Sequence, residues 1–173
     1  MSEYKINNSL NHPVKISSIS IPDERGFLMP LTDDIDPSLI NRACFVGNFD
    51  RGVKRGIHYH KKEWKIYAVL TGAAKFVVVN IPLNLVDKYQ ITKDDFLVRK
   101  YLENNENSVK TFVISERYPS ILIIPPWYAN GWISLEQNTN VVFLSNLSFD
   151  QAISDDYRFN TDIVSKKYWS MGE

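Results

Sequence analysis

Short apolar runs rich in β-branched and aromatic residues, each closed by a cluster of turn formers, constrain this chain more than any other feature. Residues 66–70, 76–81, 111–114, 121–124 and 141–144 are such runs, and residues 14–21 alternate apolar with polar. Breakers separate them at 22–26, 50–52, 71–72, 118–120 and 136–138. Many short strands with turns between them predict an all-β sandwich or barrel rather than an alternating βαβ fold. Helical signals are few. Asp36 followed by Pro37 predicts a single turn with an aspartate cap, residues 92–103 hold a short helix, and 104–108 read as an exposed loop.

With 173 residues, the chain is expected to form one domain over 1–173. Its 44% hydrophobic and 23% charged content exclude a disordered chain. Twenty basic residues balance twenty acidic ones, so no nucleic-acid partner is expected, because such binders carry a basic excess. Cys44 stands alone in an apolar stretch, which precludes an intramolecular disulfide and suits a reducing compartment; it reads as a structural thiol. The segment Met1 to Lys5 lacks the apolar core of a signal peptide, and no run approaches the ~20 apolar residues of a membrane span. A cytoplasmic protein with no membrane partner is the expectation.

Two of three histidines, His58 and His60, lie two apart. On a strand they face one side, with Tyr59 on the other. Arg55, Lys61, Lys62 and Lys65 surround them, a composition suited to an anion-binding floor. The spacing from Gly52 through His58-x-His60 to Gly72 follows the first cupin motif, yet Lys65 stands where that motif has its glutamate. The second motif's histidine position holds Asn130, within Pro125-Pro126-Trp127-Tyr128-Ala129-Asn130. An ammonium repels a cation and offers it no lone pair, so no metal and no cofactor are expected. Strand parity directs Glu63 away from the histidines. Trp127, Tyr128 and Trp132 either close the core or form a stacking wall beside a pocket.

The segments Asp23-Glu24-Arg25-Gly26-Phe27, Gly52 to His58, and Ala129-Asn130-Gly131-Trp132 resemble the dTDP-4-dehydrorhamnose 3,5-epimerases. The His-x-His-Lys-Lys version is closer to the dTDP-4-keto-6-deoxyhexose 3,4-ketoisomerases, and the resemblance spans roughly residues 15–169. It implies a cupin double-stranded β-helix (jelly-roll) barrel and a homodimer. It also implies action on a nucleotide-linked 4-keto-6-deoxysugar, dTDP-linked as in both families, by isomerisation or epimerisation through proton abstraction beside the ketone, in surface-polysaccharide biosynthesis. Carried over by position, His58 is the base, His60 the second histidine, and Lys65 the cation beside the enolate oxygen. Arg25 and Arg55 hold the diphosphate, while Tyr128, Asn130 and Trp132 line the substrate site. Departures point away from double epimerisation. Phe143 replaces the epimerases' tyrosine acid and Phe149 a second tyrosine. Their base-orienting aspartate, which lies in a C-terminal extension, has no expected counterpart. A non-catalytic cupin that binds a nucleotide sugar as scaffold or regulator is the alternative.

Overall fold

A computed structural model describes residues 5–18 and 20–171. Its frame is two five-stranded antiparallel sheets. The first holds β1 (Val14–Ser17), β9 (Ser120–Ile124), β6 (Lys65–Thr71), β11 (Thr139–Ser145) and β4 (Arg42–Asn48), in that order. The second holds β12 (Tyr157–Arg158), β5 (Lys54–Tyr59), β10 (Ala129–Ser134), β7 (Ala73–Val79) and β8 (Val109–Ser115). A separate hairpin pairs β2 (Ile21–Asp23) with β3 (Gly26–Leu28). The all-β jelly-roll expectation is met. The alternation over 14–21 proves to belong to two strands, β1 and the start of β2.

The period-2 rule distributes side chains between three cores. Along β6, Tyr67 and Val69 turn inward to meet Phe76, Ile114 and Trp132 of the other sheet. Ile66 and Ala68 turn outward, under Ile6, Ile35 and Leu39 of the N-terminal segment. On β5 the outward residues are Ile57 and Tyr59, packed with Val77, Val86 and Val98 beneath two helices. His58 and His60 take the opposite parity and face between the sheets, as their spacing predicts.

Those helices, α1 (Leu83–Thr92) and α2 (Asp95–Asn104), are inserted between β7 and β8. Only α2 was legible. The Asp94 side chain caps it, accepting from Phe96 N–H at 2.9 Å, whereas α1 starts after Pro82 with no side-chain cap. The Asp36-capped turn forms at Pro37–Leu39, and the expected loop at 104–108 contains a 3-10 turn, Glu106–Ser108. Two short helices, α3 (Phe149–Ser154) and α4 (Lys166–Trp169), flank β12. Among the described residues no helix is long and apolar enough to cross a membrane. Cys44 is half-buried on β4.

Candidate active site

A cavity of about 740 Å³ opens between the sheets. Strand β5 and the residues after it deliver Arg55, His58 and His60; β6 delivers Lys65 and Tyr67 from the facing sheet. Arg55 and His58 are three residues apart, and a regular strand would point them to opposite faces. A register shift against β10 corrects this: His58 pairs with Asn130, but Arg55 pairs with Trp132. The shift depends on two glycines. Gly56 has φ 104°, and a Cβ there would lie 2.6 Å from Gly131 Cα. A Cβ on Gly131 would lie 2.5 Å from the Arg55 carbonyl oxygen. Only hydrogens fit between these strands.

His58 Nδ1 lies 2.7 Å from Asp156 Oδ1. A carboxylate accepts, so Nδ1 carries the hydrogen and Nε2 keeps its lone pair as the basic nitrogen. Arg158 Nε donates to the other carboxylate oxygen at 2.7 Å. Burial pushes the Asp156 carboxyl up, but the bonds from His58 and Arg158 outweigh it and hold the group ionised well below the usual range. The neighbouring Asp155 is buried and accepts from the backbone N–H groups of Lys61, Lys62 and Glu63, at 3.1, 2.7 and 3.2 Å. One acidic pair thus ties the tail after α3 to the histidine segment. His58 thus has a carboxylate partner that its local sequence does not announce: Asp156 lies 98 residues away, a separation no local pattern bridges.

The His60 ring lies parallel to that of His58, with centroids 6.4 Å apart. It is buried, and burial, helped by the Lys65 ammonium, pushes its pKa down to about 3, so it is neutral at physiological pH. Its Nε2 lies 2.9 Å from Lys65 Nζ and 3.1 Å from Glu63 Oε2. Glu63 is a correction. The chain between β5 and β6 leaves strand geometry, so parity does not govern it, and Glu63 turns into the cavity. It accepts from Arg42 at 2.6 Å and from Ser145 Oγ at 2.7 Å, and lies 3.4 Å from Lys65 Nζ. Burial pulls the Lys65 pKa down, and the Glu63 charge opposes it.

Of the remaining expected site residues, Arg55, Asn130 and Trp132 line the cavity. Arg55 is oriented by Asn48 Oδ1 at 2.6 Å and Gly47 O at 2.9 Å. Lys54 and Arg158 stand with it as further cations, neither of which the sequence pattern singled out. Trp132 packs against Phe76 and forms wall and core at once. Tyr128 does not line the cavity; its hydroxyl donates to Asn11 O at 3.3 Å. Arg25 does not reach it within one chain, because it sits at the turn of the β2–β3 hairpin, solvent-exposed and paired with Asp23 at 2.5 Å.

Donor atoms of His58, His60 and Asp156 lie within 4.8 Å of one another, the one metal-like grouping among the described residues. They do not fit a divalent cation. Asp156 is committed to His58 and Arg158, and the Lys65 nitrogen occupies the place beside His60 Nε2.

No protein-family profile matches the chain, and a search of curated proteins finds no match. Solved structures do match. A sugar 3,4-ketoisomerase from Thermoanaerobacterium thermosaccharolyticum, in complex with TDP, is 20% identical with a TM-score of 0.61, over 88% of this chain and 91% of that one. A 3'-monoepimerase from Streptomyces bikiniensis, in complex with dTDP-quinovose, is 14% identical with a TM-score of 0.67, over 91% and 75%. The dTDP-4-dehydrorhamnose 3,5-epimerase of Bacillus anthracis, with TDP and PPi bound, is 16% identical with a TM-score of 0.60, over 83% and 76%. The chain shares the jelly-roll fold of these sugar-nucleotide enzymes, as the resemblance in its residues implied.

Proposed function

We propose that this protein is a 3,4-ketoisomerase of a dTDP-linked 4-keto-6-deoxysugar. The observation that carries the reading is the His58–Asp156 pair in the cavity, with the parallel His60 ring beside it and Lys65 at its edge. Asp156 fixes the His58 tautomer, so Nε2 is free to take the proton from C3 of the sugar. The electron pair left behind moves onto the ketone oxygen at C4, where the Lys65 nitrogen stabilises it. Returning the proton to C4 from the same imidazole completes the transfer between the carbons, so one base on one ring face is enough for that half of the reaction. Epimerisation needs a donor on the other face, and the position opposite on β11 is Phe143, which has no proton to give. Arg55 and Arg158 suit the diphosphate, since guanidinium forks match phosphate geometry, and the Lys54 ammonium adds a third positive charge.

The working unit in this reading is a homodimer. Arg25 is carried on a hairpin whose Ile21, Phe27 and Leu28 are 51%, 66% and 64% exposed, an apolar arm suited to packing on a second copy and presenting Arg25 to its cavity.

The test is to incubate the protein with TDP-4-keto-6-deoxyglucose in deuterated water and follow the sugar by NMR. We expect a 3-keto product with solvent deuterium on the carbon that receives the proton. We expect His58→Asn to slow its formation by about 10²–10⁴-fold. A wild-type protein that binds dTDP yet exchanges no carbon-bound hydrogen would sink the reading and favour a nucleotide-sugar binder. Inversion at C3 with the ketone left at C4 would make it an epimerase.

A further inference from the structure

Moving a ketone from C4 to C3 shifts two protons, one between carbons and one between oxygens, and the His58 base accounts only for the first. The second needs a group that gives a proton to O4 and takes one from O3. Among the described residues lining the cavity, Tyr67 is the only one with a hydroxyl. It stands directly opposite Phe143 in the β6–β11 register, with ring centroids 5.6 Å apart. Its strand parity places it on the same face of β6 as Lys65.

The hydroxyl is aimed. Tyr67 Oη donates to Asn130 Oδ1 at 2.9 Å, and Asn130 Nδ2 donates to the carbonyls of His58 and Tyr128, each at 3.3 Å. Two carbonyl acceptors fix the amide's orientation, so its oxygen must face the phenol. Asn130 therefore links the tyrosine to the backbone of the base itself. Burial raises the Tyr67 pKa above the usual phenol range, so the proton stays on oxygen until a basic enolate forms beside it. Lys65 and His60 are poorer candidates, because both are engaged with Glu63.

We infer that Tyr67 is the oxygen-side acid and base of the reaction, positioned by Asn130; this rests on the ketoisomerase reading. As His58 takes the C3 hydrogen as a proton, its electron pair forms the C3=C4 bond and the carbonyl π pair moves to O4. Tyr67 protonates O4, leaving an enediol and a phenolate. The phenolate then removes the O3 proton, the O3–H pair forms the new carbonyl at C3, and C4 takes the proton back from His58. Both side chains return to their starting states, and no proton or electron is gained or lost.

Tyr67→Phe separates the two halves. With TDP-4-keto-6-deoxyglucose in deuterated water, the variant should keep hydrogen exchange at C3 within about tenfold while 3-keto product falls by about 100-fold or more. Binding of dTDP, measured by calorimetry, should be unchanged. Equal losses in exchange and product would mark a structural role and overturn the inference, as would unchanged product formation. If the wild-type protein neither exchanges nor isomerises, the ketoisomerase reading fails and takes Tyr67's role with it. Should Tyr67→Phe fold poorly, 3-fluorotyrosine at position 67 keeps size and packing and lowers the phenol pKa. The ratio of 3-keto product to C3 exchange should then change from that of the wild type, and an unchanged ratio would overturn the inference.

Discussion

Glu63 binds the floor of the cavity together. Its buried carboxylate meets Arg42, Lys65 and His60, and accepts from Ser145. Removing its charge while keeping its shape leaves the buried Lys65 and the half-buried Arg42 without this counter-charge, and breaking a buried pair typically costs about 3–5 kcal/mol. We therefore expect Glu63→Gln to lower unfolding free energy by about 3 kcal/mol in urea titrations, and a loss under about 1 kcal/mol would contradict this. The motif spacing around His58 exposed the histidines, Lys65 and Arg55 at this scale, because each lies on a strand or within a few residues of one. Glu63 escaped because the link between β5 and β6 does not keep strand parity. Asp156 escaped for a different reason: its partner is remote in sequence, and two adjacent acids in a tail carry no local mark of their role.

The pairing of β5 with β10 does most to shape the site. The glycines at 56 and 131 let the strands approach closely enough for a shifted register, and that shift puts Arg55 and His58 on one face. Gly131→Ala sets a methyl group against the Arg55 carbonyl, so the strands must separate. We expect a loss of about 3 kcal/mol in stability. Turnover should fall by about 10²-fold, because His58 moves relative to Asp156. Retained stability and activity in this variant would show that the strands have room to spare. At this scale the long β-branched runs were legible and β10 was not, since Ala129, Asn130, Gly131 and Trp132 have the composition of a corner. The helices α1 and α2 bury two residues each, so neither shows a strong apolar stripe; α1, which has no side-chain cap, stayed hidden, while the Asp94 cap marked α2.

Across the whole molecule, stability is tied to the protonation state of the cavity. His60 is held neutral in the folded chain down to about pH 3, whereas its ordinary pKa is 6.5. Between those values the unfolded chain binds a proton that the folded chain refuses, so acidification favours unfolding throughout that window. Asp156 adds to the loss at the acid end. Its folded pKa lies below the ordinary 3.8, so its contribution is complete above that value and disappears as pH falls further. We expect the urea midpoint to drop steadily from about pH 6.5 to about pH 4, and His60→Gln to flatten that slope; an unchanged slope would refute the assignment to His60. What the sequence determined by itself was the class of fold, from alternation and punctuation along the chain, and the parity that turns His58 and His60 inward. Those are consequences of backbone geometry acting over a few residues. The tertiary structure decided the rest: that Asp156 partners His58, that Glu63 meets the cations of the floor, that Tyr67 packs against Phe143 and donates to Asn130, and that Arg25 stands outside its own cavity. Each of these depends on which distant strands become neighbours. That is set by packing between the sheets and by the few Å separating Gly56 from Gly131, quantities that exist only once the chain has closed on itself.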